Sequence, residues 1–259
     1  MRSVNLYNRI VIKIGSAVLA KANGSVNHEI LSAISEDIAW LLKKNKEVLV
    51  VSSGAIALGR KKIQLSQKFS LAESQAMAAH GQIELMSAWK KHLNKFSIPI
   101  GQMLLTPRDT ELKVSSKNAK QTVSKLIEAG CLPIINENDS TATDEIKFGD
   151  NDLLAAKVAK LINADLLIVL STVEGLYSSE DDLKANKSSA IIKQVTKITP
   201  NIRKMAGQAS DMGKGGMVSK IDAAEICLKN KCTMVITSGK NKKPIRGLLS
   251  RTTATWFTK

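Results

Sequence analysis

Short aliphatic runs that end on small or polar residues do most to limit what this chain can fold into. Arg9 to Ile14 (RIVIKI) runs into Gly15-Ser16, and Glu47 to Ser52 (EVLVVS) runs into Ser53-Gly54. Leu132 to Asn136 precedes an acidic stretch, Asp165 to Ser171 (DLLIVLS) leads to Thr172, and Cys232 to Thr237 leads to Ser238-Gly239. Runs this short and this continuously apolar read as strands buried on both faces, the pattern of a parallel sheet covered by helices. Composition agrees: 44% of the residues are hydrophobic but 3% aromatic, so the core is aliphatic.

Helical periodicity fills the gaps between these runs. Ile30, Ile34, Ile38, Leu41 and Leu42 recur at helical spacing behind Asn27, a candidate N-cap. Leu71 to Leu93 reads as helix with a break near Gly81, and Val114 to Ala129 as a helix stopped by Gly130. Leu153 to Ile162 and Met217 to Lys229 complete the helical set. Ile98 to Leu105 reads as extended, Ile191 to Val195 as an edge strand and Thr253 to Phe257 as a last strand. Residues 178–190 are polar and read as an exposed loop. The alternation predicts an α/β fold with a mainly parallel central sheet. No repeat or low-complexity linker divides the 259 residues, so one domain is expected.

In such sheets ligands sit beyond the carboxyl ends of the strands. The informative loops of this chain follow that rule, which points to one active edge. The acidic stretch after the third run is the clearest of them. Pro133 to Asp152 carries Glu137, Asp139, Asp144, Glu145, Asp150 and Asp152, with Lys147 as its one basic residue, in a chain of net charge +15. Its middle, Ser140 to Phe148, has no assigned chemistry. Lys13 stands inside an apolar run, where a charge is costly unless used. Gly213-Lys214-Gly215-Gly216-Met217-Val218-Ser219-Lys220 exposes backbone donors before a helix and adds two lysines, a combination suited to polyphosphate. It is neither a Walker A loop nor GxGxxG. Separated lysines, a phosphate-type loop and an acidic strand end together point to phosphoryl transfer, which needs alignment and charge stabilisation more than covalent catalysis.

Other classes are disfavoured. The lysines are dispersed, without an arginine stripe or interleaved aromatics, which argues against nucleic-acid binding. Three cysteines without CxxC spacing and three histidines give no zinc pattern, so Cys131 and Cys232 are expected as buried free thiols in a reduced, cytoplasmic setting. No apolar run approaches a membrane span, and the N-terminus does not read as a signal peptide.

The segments KIGSAVL (Lys13 to Leu19), VSSGAIALG (Val51 to Gly59), GQMLLT (Gly101 to Thr106), INENDSTATDEIKFGDND (Ile135 to Asp152), GLY (Gly175 to Tyr177) and GKGGMVSK (Gly213 to Lys220) resemble the glutamate 5-kinases of the amino-acid kinase family. The resemblance implies a three-layer αβα sandwich, with a substrate lobe over residues 1–163 and a nucleotide lobe over 164–259. It implies ATP-dependent phosphorylation of the γ-carboxylate of L-glutamate, with Mg²⁺ accompanying ATP, in proline synthesis. Carried over by motif, Ser53, Asp139 and Asn151 would bind glutamate. Lys13 and Lys220 would stabilise the phosphoryl group, and Asp152 would orient both lysines. Lys13, Ser171, Thr172, Gly213, Lys214, Gly215, Gly216, Met217, Val218 and Ser219 would meet the nucleotide. The pattern departs from the family at Thr172, where an aspartate is usual, and at Lys214 and Ser219. Many members carry a further PUA domain, which this chain is expected to lack. Proline as a feedback inhibitor and a homo-oligomer are further expectations. The rival readings are another carboxylate kinase of the family, such as an acetylglutamate kinase, and a nucleic-acid-binding protein on a degenerate kinase fold.

Overall fold

The structure, a computed structural model, describes residues 4–60, 69–141, 151–207, 216–250 and 253–259. Along the chain the elements run β1 (Arg9–Ile14), α1 (Ser16–Leu19), α2 (His28–Leu42), β2 (Glu47–Ser52), α3 (Ala55–Gly59), α4 (Leu71–Leu93), β3 (Ile100–Leu105), α5 (Pro107–Glu111) and α6 (Lys113–Glu128). They continue with β4 (Leu132–Glu137), α7 (Asn151–Leu161), β5 (Leu166–Ser171), α8 (Glu180–Lys184), β6 (Gln194–Val195), α9 (Pro200–Met205), α10 (Met217–Lys229), β7 (Thr233–Ser238) and β8 (Thr255–Phe257).

The strands form one sheet in the order β3-β4-β2-β1-β5-β7-β8-β6. Neighbours from β3 through β7 pair in parallel, and β8 joins β7 antiparallel. The first four strands in sequence therefore occupy one half of the sheet and the last four the other, with β1 against β5 at the seam. Alternation along the strands divides the core. Ile10, Ile12, Ile14, Leu166, Ile168 and Leu170 pack with α2 and α4 on one face. Val11, Leu49, Val51, Leu167 and Val169 pack with α6, α7 and α10 on the other. Helices on both faces of a parallel sheet are the three-layer arrangement expected. Among the described residues, no helix is long and apolar enough to cross a membrane.

Several local expectations hold for visible reasons. The Asn27 side chain caps α2 by accepting from the Ile30 amide. Gly130 ends the chain's turn after α6 with φ of 72°. His28 Nδ1 and His92 Nε2 lie 3.0 Å apart and their rings stack, so this pair serves the packing of α2 on α4.

Others need correction. No break occurs at Gly81, and α4 runs unbroken from Leu71 to Leu93. Gly81 serves close packing instead: a Cβ there would lie 1.8 Å from the Ala55 carbonyl oxygen, so α3 crosses α4 backbone to backbone. The polar stretch 178–190 is not wholly loop, because Ser179 caps the short helix α8. Cys131 is half-buried rather than buried, while Cys227 and Cys232 are buried, and all three are free thiols. The helices α3, α5 and α9 fall where no helix was expected, each only one or two turns long.

Candidate active site

Lys13 shares a face with Val11, the face roofed by α7 and α10. It stands one residue from the carboxyl end of β1 and is buried. Its Nζ lies 2.7 Å from Asp152 Oδ1, and Lys220 Nζ lies 2.9 Å from Asp152 Oδ2. Ser219 Oγ also donates to Oδ2, at 3.2 Å. Asp152 is 0% exposed. Burial alone would push its carboxyl up, but the Lys13 and Lys220 ammonium groups outweigh that and hold it below the ordinary 3.8. The three groups carry a formal sum of one positive charge in a buried place. Ion pairs this deep give little net stability for their desolvation cost. They suit a site that receives an anion.

The helix start explains how one carboxylate reaches both lysines. The periodic pattern put the first helical residue at Leu153, but α7 begins at Asn151, so Asn151 and Asp152 form its first turn. Asp152 faces β1 and α10, whereas Asn151 faces the end of β2. Asn151 Nδ2 donates to Ser53 Oγ at 2.8 Å and to Asn136 Oδ1 at 3.0 Å. Asn136 Nδ2 in turn donates to Gln82 Oε1 at 2.9 Å, tying the site to α4. Gly54 makes the turn that presents Ser53: its φ of 117° is in the left-handed region, where other residues are strained. At the end of β1, Gly15 lies beside the ammonium: a Cβ on it would stand in ordinary contact with Lys13 Nζ, 3.8 Å away.

Asp139 follows β4 and is 7% exposed. Burial, then the neighbouring Glu137 charge, push its carboxyl up to about 7. Its Oδ1 and the Oδ1 of Asn151 are buried acceptors without a partner among the described residues. Orphaned acceptors are costly, and a ligand carrying N–H donors would satisfy them. Asp139 lines two cavities. One, of about 420 Å³, lies between α4, β3 and the end of β4. The other, of about 190 Å³, is lined by Ser16, Gly54, Arg60 and the α3 side chains.

Ser171 and Thr172 lie at the carboxyl end of β5, beside Ser238 in register on β7. Ser171 is buried and Thr172 exposed. Gly216 precedes α10, and Met217, Val218 and Ser219 form its first turn without a side-chain cap. The exposed amides of such a turn suit an anion. Ser219 directs its hydroxyl to Asp152 and to the Gly216 carbonyl oxygen, so it braces the buried carboxylate. Gly213, Lys214 and Gly215 lie outside the described residues, as do Asp144, Glu145 and Asp150.

Sequence reading gave no part to Gln82 or Arg60, and it placed Asn136 and Glu137 only at the strand end and in the acidic stretch, without individual roles. Asn136 and Glu137 had a signal, because polar residues close a strand that is otherwise apolar and buried throughout. Gln82 had none, since a polar residue in a long helix usually faces water.

No cluster of three or more possible metal ligands occurs among the described residues. Both oxygens of Asp152 are engaged by ammonium groups. A magnesium ion fits here as one carried on nucleotide phosphates rather than held by this cluster.

Comparisons with known proteins bear on the family and the fold. The Amino acid kinase family matches residues 8–238. The chain is 48% identical over 259 residues to a glutamate 5-kinase of Allorhizobium ampelinum, covering 99% of this chain and 66% of that protein. It is 47% identical over 253 residues to a glutamate 5-kinase of Rhizobium etli, covering 97% and 64%. The chain thus spans just under two thirds of the length of these relatives. The crystal structure of UMP kinase from Ureaplasma parvum superposes with a TM-score of 0.67 at 19% identity, over 100% of both chains, a likeness of fold. With its αβα architecture and a family match over most of its length, the chain belongs to the amino acid kinase family.

Proposed function

We propose that this chain phosphorylates the γ-carboxylate of L-glutamate with ATP, giving L-glutamyl 5-phosphate for proline synthesis. The observation that carries this reading is the buried Lys13–Asp152–Lys220 bridge at the carboxyl edge of the sheet. Transfer between a carboxylate and a triphosphate brings two anions together. Lys13 and Lys220 would hold the moving phosphoryl group, and Asp152 would keep both ammonium groups aimed at it. Magnesium bound to the nucleotide would neutralise further phosphate charge. The attacking carboxylate is ionised at neutral pH, so no general base is required.

Asp139 and Asn151 offer orphaned acceptors to the α-ammonium of glutamate. Ser53, bonded to Asn151, would meet a carboxylate oxygen. The half of the sheet within residues 1–163 would hold the amino acid, and the half within 164–259 the nucleotide, with Ser171, Thr172 and the start of α10 nearest to it. By resemblance, the reading extends to inhibition by proline and to a homo-oligomer.

A hydroxamate assay tests the proposal. Glutamate, ATP, Mg²⁺ and hydroxylamine should yield glutamyl hydroxamate. Product from acetylglutamate and none from glutamate would replace this reading with that of an acetylglutamate kinase.

A further inference from the structure

The smaller cavity has a cation that no motif assigned. Arg60 closes α3 and lines the cavity of about 190 Å³ together with Asp139, Ser16 and Gly54. Its root is fixed by packing, because the preceding Gly59 lies so close to α4 that a Cβ there would be 2.0 Å from the Met77 carbonyl oxygen. Its guanidinium lies over the Phe69 ring, 4.6 Å from the centroid, which restrains the plane of the group. No ion pair of Arg60 occurs among the described residues. The cavity is thus bounded by a restrained cation and by a buried carboxylate with an orphaned Oδ1. It is smaller than the roughly 300–1,000 Å³ pockets that take drug-sized ligands. Arg60 is exposed and Asp139 buried, and a cation and a carboxylate that line one small space are the complement of a zwitterion.

We propose that Arg60 binds the α-carboxylate of the amino-acid substrate while Asp139 takes its α-ammonium, so that the two residues together read an unmodified α-amino acid head group. This rests on the glutamate reading given above and names what enforces it. Arginine suits the role because its planar donors match a carboxylate in two parallel hydrogen bonds, which lysine cannot reproduce. The clamp sets specificity. A ligand without the α-carboxylate loses Arg60, and one without the ammonium loses Asp139.

Two truncated ligands separate the charges: 4-aminobutanoate lacks the α-carboxylate, and glutarate lacks the ammonium. The 259-residue chain and its Arg60→Ala, Arg60→Lys and Asp139→Asn variants are compared by KM for glutamate and by ligand-observed NMR with both compounds. Arg60→Ala should raise KM for glutamate and weaken glutarate at least about tenfold, while 4-aminobutanoate is held as before. Arg60→Lys should recover part of the loss. Asp139→Asn should weaken 4-aminobutanoate and spare glutarate. Circular dichroism confirms that each variant is folded. Equal losses for all three ligands in Arg60→Ala, or none, overturn the clamp alone. Absence of glutamyl hydroxamate from the unaltered chain overturns the glutamate reading and the clamp with it.

Discussion

Asn151 and Asp152 are chain neighbours in the first turn of α7, yet their side chains serve different partners. Asn151 bonds to Ser53 at the end of β2, and Asp152 bonds to Lys13 on β1 and Lys220 on α10. Adjacent helical residues point about 100° apart, so one turn can reach two neighbouring strands. Substrate grip and phosphoryl stabilisation would then be fixed relative to one another by a single short piece of backbone.

Kinetics should separate the two neighbours. Asn151→Ala removes the donors to Ser53 and Asn136, and should act mainly on KM for glutamate, raising it roughly tenfold for a loss of about 1.4 kcal/mol. Asp152→Asn should act mainly on kcat, lowering it about 10²–10³-fold, because the lysines lose their orientation. It should also cost about 3–5 kcal/mol of stability, since two buried ammonium groups lose their shared anion. Steady-state assays and urea unfolding of both variants check this. The same parameter changing in both would contradict the division.

Lys220→Ala should behave differently from Asp152→Asn. Asp152 keeps its contact with Lys13, so the fold survives and circular dichroism is unchanged. Turnover should still fall about 10²–10³-fold, as for the loss of one transition-state donor. Near-normal turnover would remove Lys220 from the mechanism.

The centre of the sheet was legible because β1, β2, β4, β5 and β7 are buried on both faces. Runs such as Asp165 to Ser171 carry no competing helical period, and β5 spans Leu166–Ser171. The lysines and Asp152 were legible through motif resemblance, since nothing in local periodicity says that Lys13 and Lys220 meet. What escaped was set by distant packing. Gly81 looks like a helix breaker in sequence because glycine costs about 1 kcal/mol in a helix, and its reason is the approach of Ala55. Arg60 escaped because it carries no motif, and its meaning depends on Asp139 lining the same cavity.

Gly81→Ala should therefore destabilise the chain despite its better helix propensity. The new Cβ would lie 1.8 Å from the Ala55 carbonyl oxygen and 2.6 Å from the Gly59 amide nitrogen, both backbone atoms that cannot swing aside. Relief requires α3 to shift on α4. Overpacking of this kind costs about 1–3 kcal/mol, more than the roughly 1 kcal/mol gained in propensity. The shift should also raise KM for glutamate, because α3 follows Ser53-Gly54 directly. Thermal melting and KM of the variant check both effects. A more stable protein with unchanged KM would show that α3 and α4 do not need their close contact.

Asp139 should link stability and substrate binding to pH in opposite senses. Its carboxyl titrates near 7 in the folded chain, against an ordinary value of 3.8. Between those values the unfolded chain has released this proton and the folded chain still holds it. Stability from this residue is therefore present at pH 4, falls as pH rises toward 7, and stays low above it. The difference amounts to about 4 kcal/mol at most. Asp139→Asn keeps the shape and removes the charge. In urea unfolding, stability of the unaltered chain should drop more between pH 5 and pH 8 than that of the variant, by about 2–4 kcal/mol. Glutamate binding runs the other way. Its ammonium needs the ionised carboxylate, so KM for glutamate should fall as pH rises from 6 to 8, across a titration centred at about 7. The variant should bind glutamate weakly without that dependence. Parallel stability profiles for the two proteins would show that Asp139 is ionised in the empty site already, and that its burial carries no such penalty.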